Sequence, residues 1–178
     1  MVVSYPMLVF FRLAIKHRLA IGITSVLYVI DQMSKALVSG NMDVGSSVPS
    51  EGVVRLTFIY NTGSAFGLLS GMNTPLMVVS FLAIAVIVFI YRTFGQNGNM
   101  WKVSLGCQLA GALGNLTDRL ILGKVVDFID VGPWPVFNVA DSCLVVGTVL
   151  LGWLILRSNS GGNSERASVP DPFGGGQT

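Results

Sequence analysis

Pro75-Leu76-Met77-Val78-Val79-Ser80-Phe81-Leu82-Ala83-Ile84-Ala85-Val86-Ile87-Val88-Phe89-Ile90-Tyr91 is an apolar run without a single charged side chain. About 20 helical residues cross roughly 30 Å of hydrocarbon, and this run with its flanks supplies such a helix. Three further stretches have the same character, from about Leu19 to Val38, Trp101 to Leu122 and Val136 to Leu156. Together they predict four transmembrane helices. The whole chain agrees: its 178 residues are 52% hydrophobic and 11% charged, with a mean hydropathy of +0.68. Soluble domains carry about 25% charged residues, so the composition points to lipid as solvent. Basic residues precede the first run, as they do in a signal peptide. That run is too long, however, and no small-residue cleavage pattern follows it, so it reads as a retained helix.

The organisation follows from these spans: a cytoplasmic segment over 1–18, a transmembrane domain over 19–156 with an outer loop at 39–73, and a tail over 157–178. The tail is rich in Ser, Gly, Asn and Pro, which predicts disorder. With both termini cytoplasmic, the inner side holds Arg12, Lys16, Arg18, Arg92, Lys102, Arg157 and Arg166, against Lys35, Arg55, Arg119 and Lys124 outside. That bias sets the orientation. The acids are more lopsided, with Asp31, Asp43, Glu51, Asp118, Asp127, Asp130 and Asp141 all toward the outer side. In the outer loop Val54, Leu56, Phe58 and Tyr60 alternate with Arg55, Thr57 and Ile59, a period of two that predicts a strand. The fold class is therefore an all-α membrane protein of four transmembrane helices with a small β-sheet on the outer face.

Some classes are excluded or left without support. A net charge of +2 with no basic stripe argues against a nucleic-acid partner. Cys107 and Cys143 lie in apolar runs and read as core hydrophobes rather than a disulfide. His17 stands in a basic run with no neighbouring ligand and reads as a residue beside the membrane surface.

Polar groups within a helical bundle cost about 2.5–3.5 kcal/mol for a central Asp, so each needs a reason. Gly106, Ala110 and Gly114 form a small-residue stripe that lets a neighbouring helix come close. Asn115, Asp118 and Arg119 share one face of the same helix. Asp31 and Lys35, acid first and four apart, are placed for a helical ion pair. Asp43, Glu51 and Asp130 read as solvated charges.

Asp127 and Asp141 differ from these. Asp127 sits in the apolar run Val125-Val126-Asp127-Phe128-Ile129, which a surface loop would not need. Asp141 follows Phe137-Asn138-Val139-Ala140 early in the fourth helix, with Asn138 one turn before it and able to bond a carboxylate. Both carboxylates can meet at the outer interface, where water reaches them. A close pair shares a proton, so one member serves as base toward water and the other as acid toward a carbonyl oxygen. Clustered Asp and Asn also suit a hard cation, and proton or cation transport fits the same acids. The residues alone leave these three chemistries open.

Five motifs then bear on the choice: Asp31-Gln32-Met33-Ser34-Lys35, Asn61-Thr62-Gly63-Ser64-Ala65-Phe66-Gly67, Gly114-Asn115-Leu116-Thr117-Asp118-Arg119, Val125-Val126-Asp127-Phe128 and Phe137-Asn138-Val139-Ala140-Asp141. In this order, on four helices over about residues 19–156, they resemble the lipoprotein signal peptidase family, also called signal peptidase II. The resemblance implies a bacterial inner-membrane aspartyl protease, working near the periplasmic face without metal or cofactor. It cuts the signal peptide from a diacylated prolipoprotein just before the lipid-modified cysteine. It also implies contact with membrane lipid and inhibition by globomycin-type cyclic peptides. The family's catalytic pair falls on Asp127 and Asp141. Its other polar positions fall on Asp31, Asn61, Asn115, Arg119 and Asn138, and Gly63, Asp118 and Ala140 of the same motifs join them as candidate substrate-binding or supporting residues. Two departures stand out: Ser34 where Thr is common, and a short stretch from Phe128 to Phe137 with two prolines where the family builds part of the rim over its site.

Overall fold

The computed structural model describes residues 5–63, 73–95 and 98–166, and the side chains of 17–63, 73–95 and 98–158. The elements run α1 (Tyr5–Asn41), β1 (Ser47–Val48), β2 (Arg55–Asn61), α2 (Asn73–Phe94), α3 (Asn99–Leu122), β3 (Val125–Asp130) and α4 (Val139–Arg166). The part of the glycine turn from Ser64 to Gly67 lies outside the described residues.

Among the described residues, three helical segments are long and apolar enough to cross a membrane: His17–Asn41, Asn73–Phe94 and Val139–Ser158. Their outward faces are apolar, as at Val78, Phe81, Leu82 and Phe89 of α2, because lipid rather than water surrounds them. Helix α3 has 24 residues, about 36 Å at 1.5 Å per residue, and so matches the others in length but not in apolarity. It packs against α1, α2 and α4, and its buried residues include Ser104, Gln108, Asn115 and Asp118. A helix enclosed by protein can carry polar groups that a lipid-facing helix cannot, provided they are paired.

Small residues make that enclosure tight. A Cβ on Gly106 would press on Ala20 and Ile23 of α1, and one on Gly114 would overlap the Asp31 carboxylate. The stripe expected on α3 therefore serves its contact with α1. Gly114 also meets the Ala140 methyl of α4, and the contact with α4 depends further on glycines that the stripe did not include. Gly111 lies against the Ala140 carbonyl, and Gly147 of α4 lies against Ser104 and Gln108. Ser104 Oγ closes that contact with a 2.8 Å hydrogen bond to Gly147 O.

The strands form one antiparallel sheet in the order β1-β2-β3. Val38 at the end of α1 packs with Phe58, Val126 and Phe128, joining the sheet to the bundle. The expected strand is present as β2, but its alternation is imperfect. The register slips by one between Leu56 and Ile59, a β-bulge that re-aims side chains: Phe58 is buried while Leu56 is 44% exposed.

Three expectations need correction. Helix α4 continues to Arg166, so part of the tail expected to be disordered is helical, and α1 already begins at Tyr5 within the N-terminal segment. Apolarity marks where lipid begins, whereas a nucleated helix propagates at one hydrogen bond per residue. His17 is half-buried, with Nδ1 2.6 Å from the Tyr91 hydroxyl. Asp130 is 4% exposed rather than solvated. Its Oδ2 accepts from Arg55 at 2.7 Å and from Thr57 Oγ1 at 2.7 Å, and its Oδ1 accepts from Gly132 N at 2.9 Å. Those bonds, led by the Gly132 amide, hold its carboxyl below the usual range. They also close the short proline-bearing segment into a turn. The Phe128 and Ile129 amides both donate to Phe137 O, at 3.0 and 2.7 Å, and the Phe137 amide returns to Ile129 O.

Candidate active site

The site is built from the ends of four elements. Asn138 caps α4: its Oδ1 accepts the Asp141 amide at 2.9 Å, and the Asp141 carboxylate accepts the Asn138 amide at 3.3 Å. This reciprocal capping box satisfies helix-end donors and fixes Asp141 over the positive end of the helix dipole. Antiparallel pairing of Ile59 with Asp127 carries Asp127 to the same place from β3.

Each carboxylate is held by neutral amides. Asp127 accepts from Asn138 Nδ2 at 2.6 Å and from Asn61 Nδ2 at 2.9 Å. Asn61 is itself oriented, because its Oδ1 accepts the Gly63 amide at 2.9 Å in a local turn of the kind Asn favours. Asp141 Oδ1 accepts from Asn115 Nδ2 at 2.7 Å. Sequence reasoning expected Asn138 to bond a carboxylate. Its side chain chooses Asp127, and its link to Asp141 runs through the cap.

Behind the pair lies a buried charge network. Lys35 Nζ stands 2.9 Å from Asp31 and 3.1 Å from Asp118. Gln32 Nε2 donates to both acids, at 3.1 Å each. The expected Asp31–Lys35 pair is therefore present, but it reaches Asp118 on α3 as well. Asp31 Oδ1 accepts the Ala140 amide at 2.8 Å, and Asp118 Oδ2 accepts the Val126 amide at 3.1 Å. The two acids thus pin the start of α4 and of β3. Gln32 and Lys35 were not singled out for the site, although both lie in the first motif beside Asp31.

Both carboxylates line a cavity of about 440 Å³, walled by α2, α3, α4, the sheet and the turn from Trp134 to Phe137. Most of the lining is apolar, with Leu76, Val79 and Ala83 from α2 and Leu144 and Val145 from α4, one turn beyond Asp141. Arg119 also lines it, steadied at 3.4 Å by Ser80 Oγ and by Asn115 O. Asn61, Gly63, Asn115, Arg119, Asp127 and Asp141 therefore face one space, while Asp31, Asp118, Asn138 and Ala140 support it from behind. Burial pushes the Asp127 carboxyl up to about 7, the nearby Asp141 charge adds to the rise, and the Asn61 and Asn138 bonds with the Lys35 charge oppose it.

A family model for signal peptidase II matches residues 23–157. The chain belongs to the signal peptidase II family. It is therefore a peptidase, with helices apolar enough for a membrane. It is 41% identical over 128 residues to the lipoprotein signal peptidase of Moorella thermoacetica, spanning 71% of this chain and 85% of that one. It is 36% identical over 148 residues to that of Shouchella clausii, spanning 81% and 95%. A solved bacterial membrane enzyme superposes with a TM-score of 0.75 at 31% identity, covering 80% of this chain and 90% of that one. Both signal peptidase II carboxylate candidates and the network behind them fall inside the matched residues.

Proposed function

We propose that this signal peptidase II is an intramembrane aspartyl endopeptidase that removes the signal peptide from diacylglyceryl-modified prolipoproteins, cutting before the lipid-modified cysteine. The observation that carries the reading is that Asp127 and Asp141 line one largely apolar cavity, with Asp127 raised to about 7. A carboxyl that titrates near neutrality can hold a proton while its partner is ionised. The ionised member takes a proton from water, the oxygen attacks the peptide carbonyl, and the protonated member donates to the carbonyl oxygen. Collapse of the gem-diol intermediate breaks the C–N bond, and the carboxyl that took the water proton gives it to the leaving nitrogen. A gem-diol hydroxyl returns its proton to the other carboxylate as the carbonyl re-forms, so the carboxylates end as they began. The reaction is symmetric in form, and either residue can start as the base.

The amides around the pair favour proton chemistry over cation binding. Asn61, Asn115 and Asn138 all aim N–H groups at the carboxylates, whereas a cation would require their oxygens. The apolar wall formed by α2 and α4 suits acyl chains entering from the bilayer. In this reading α3 crosses the membrane with the other three helices, both termini are cytoplasmic, and the sheet lies over the site on the periplasmic face of the bacterial inner membrane. Arg119 binds the substrate backbone, and globomycin-type cyclic peptides occupy the same cavity.

The test is a gel-shift assay with purified enzyme and a diacylated prolipoprotein. Release of the signal peptide, blocked by globomycin, is expected. An unmodified substrate cut at an equal rate, or no cleavage of either, would overturn the assignment.

A further inference from the structure

The first motif contains a lysine whose role reaches past its helical ion pair. Lys35 is 3% exposed, and its ammonium has three hydrogens and no acceptor. Those hydrogens have three partners: Asp31 Oδ2 at 2.9 Å, Asp118 Oδ2 at 3.1 Å and Asn115 Oδ1 at 3.1 Å. The third contact fixes chemistry. An amide can present either its oxygen or its nitrogen to a neighbour, and only its surroundings decide which. Since an ammonium accepts nothing, Asn115 must turn its oxygen to Lys35, which leaves its Nδ2 to donate to Asp141 at 2.7 Å. Asn138 Nδ2 also reaches Asn115 Oδ1, at 3.1 Å, but shares two hydrogens among Asn115, Asp127 and Val126 O. It cannot hold Asn115 alone.

We infer that Lys35 is a positioning residue for catalysis, which sets the polarity of the Asn115 amide so that it donates to Asp141, while Asn138, whose oxygen is held by the Asp141 amide, donates to Asp127. This rests on the aspartyl reading of the cavity. Without Lys35, a turned Asn115 would place its oxygen against Asp141, and the pair would lose a donor from its ionised form. The charged groups that act on the pair among the described residues are Asp31 and Lys35 from α1 and Arg119 from α3, with Asp118 of α3 behind them against Lys35 and Arg119; β2 contributes the neutral Asn61.

The experiment measures kcat and KM against pH for cleavage of a diacylated prolipoprotein peptide by the full chain in detergent. Lys35→Met leaves two acids without their cation. The double variant Lys35→Met with Asp118→Asn keeps the net charge of the network and guards against simple unfolding. Both should lower kcat by about 100-fold with KM within about twofold, as expected for an interaction realised in the transition state, and both should move the acidic limb to higher pH. A folded double variant with kcat within threefold of the parent and an unmoved limb would overturn the inference. So would a double variant that fails to fold, since Lys35 would then serve the fold. Asp127→Asn, assayed beside them, separates the claims. If it still cleaves, the aspartyl reading fails; if it is dead while the double variant runs at parental rate, only the role of Lys35 fails.

Discussion

Asn138 Nδ2 donates to Asp127 Oδ1 at 2.6 Å, and this bond joins the cap of α4 to the strand that carries the other carboxylate. The side-chain oxygen of Asn138 accepts the Asp141 amide. One fully buried residue therefore starts a helix and spaces two acids.

Those two duties can be separated. Asn138→Ala loses both and should destabilise the enzyme by about 1 kcal/mol through the cap alone, with cleavage falling at least 100-fold. Asn138→Ser restores a capping oxygen but not an amide that reaches Asp127. Thermal melts in detergent should show Ser recovering most of the stability, and cleavage assays should show it recovering little activity.

The raised Asp127 carboxyl predicts an inactive but stabilised variant. Its ordinary value is 3.8 and its folded value about 7, so between these the native state binds more protons than the unfolded state. Stability from this group is therefore greatest below pH 3.8 and is lost as pH rises through about 7. Asp127→Asn removes that penalty. Its Tm advantage over the parent should grow from pH 5 to pH 8, a trade of stability for activity common at catalytic groups. A constant or negative difference would contradict the assignment of the pressure on Asp127 to burial.

Asn61 lowers the Asp127 value by donating to it. In Asn61→Ala that bond is gone and Asp127 should titrate higher, moving the alkaline limb of the pH–rate profile, where the protonated member of the pair is lost, upward. The profile of kcat/KM is the check.

Gly114 admits the Asp31 carboxylate and the Ala140 methyl to α3. Gly114→Ala should cost about 1–3 kcal/mol from overpacking and displace Asp31 from the Ala140 amide. Reduced activity per folded molecule, beside a lower Tm, is the expected signature.

Much of this was legible in the sequence because the relevant signals are local. Apolar runs marked α1, α2 and α4, alternation marked β2, and the prolines before Asn138 marked the start of α4. Asp127 was visible as an acid where a surface loop would have had no need of apolar neighbours. What escaped depends on contacts between distant segments. Asp130 looked solvated because its partners, Arg55 and Thr57, lie on another strand. Lys35 looked like half of a helical pair because Asp118 and Asn115 reach it across the interface between α1 and α3. The close packing of Gly111 against Ala140 and of Gly147 against Ser104 needs the register of two helices, which spacing within one helix does not contain.

The most direct test of the account is the cleavage rate of a diacylated prolipoprotein by Asp127→Asn and Asp141→Asn, each purified and shown to fold by thermal melting. The account predicts that both variants lose cleavage by at least 10,000-fold, about 5.4 kcal/mol of transition-state stabilisation, while remaining folded. Cleavage by either folded variant within tenfold of the parent would contradict it.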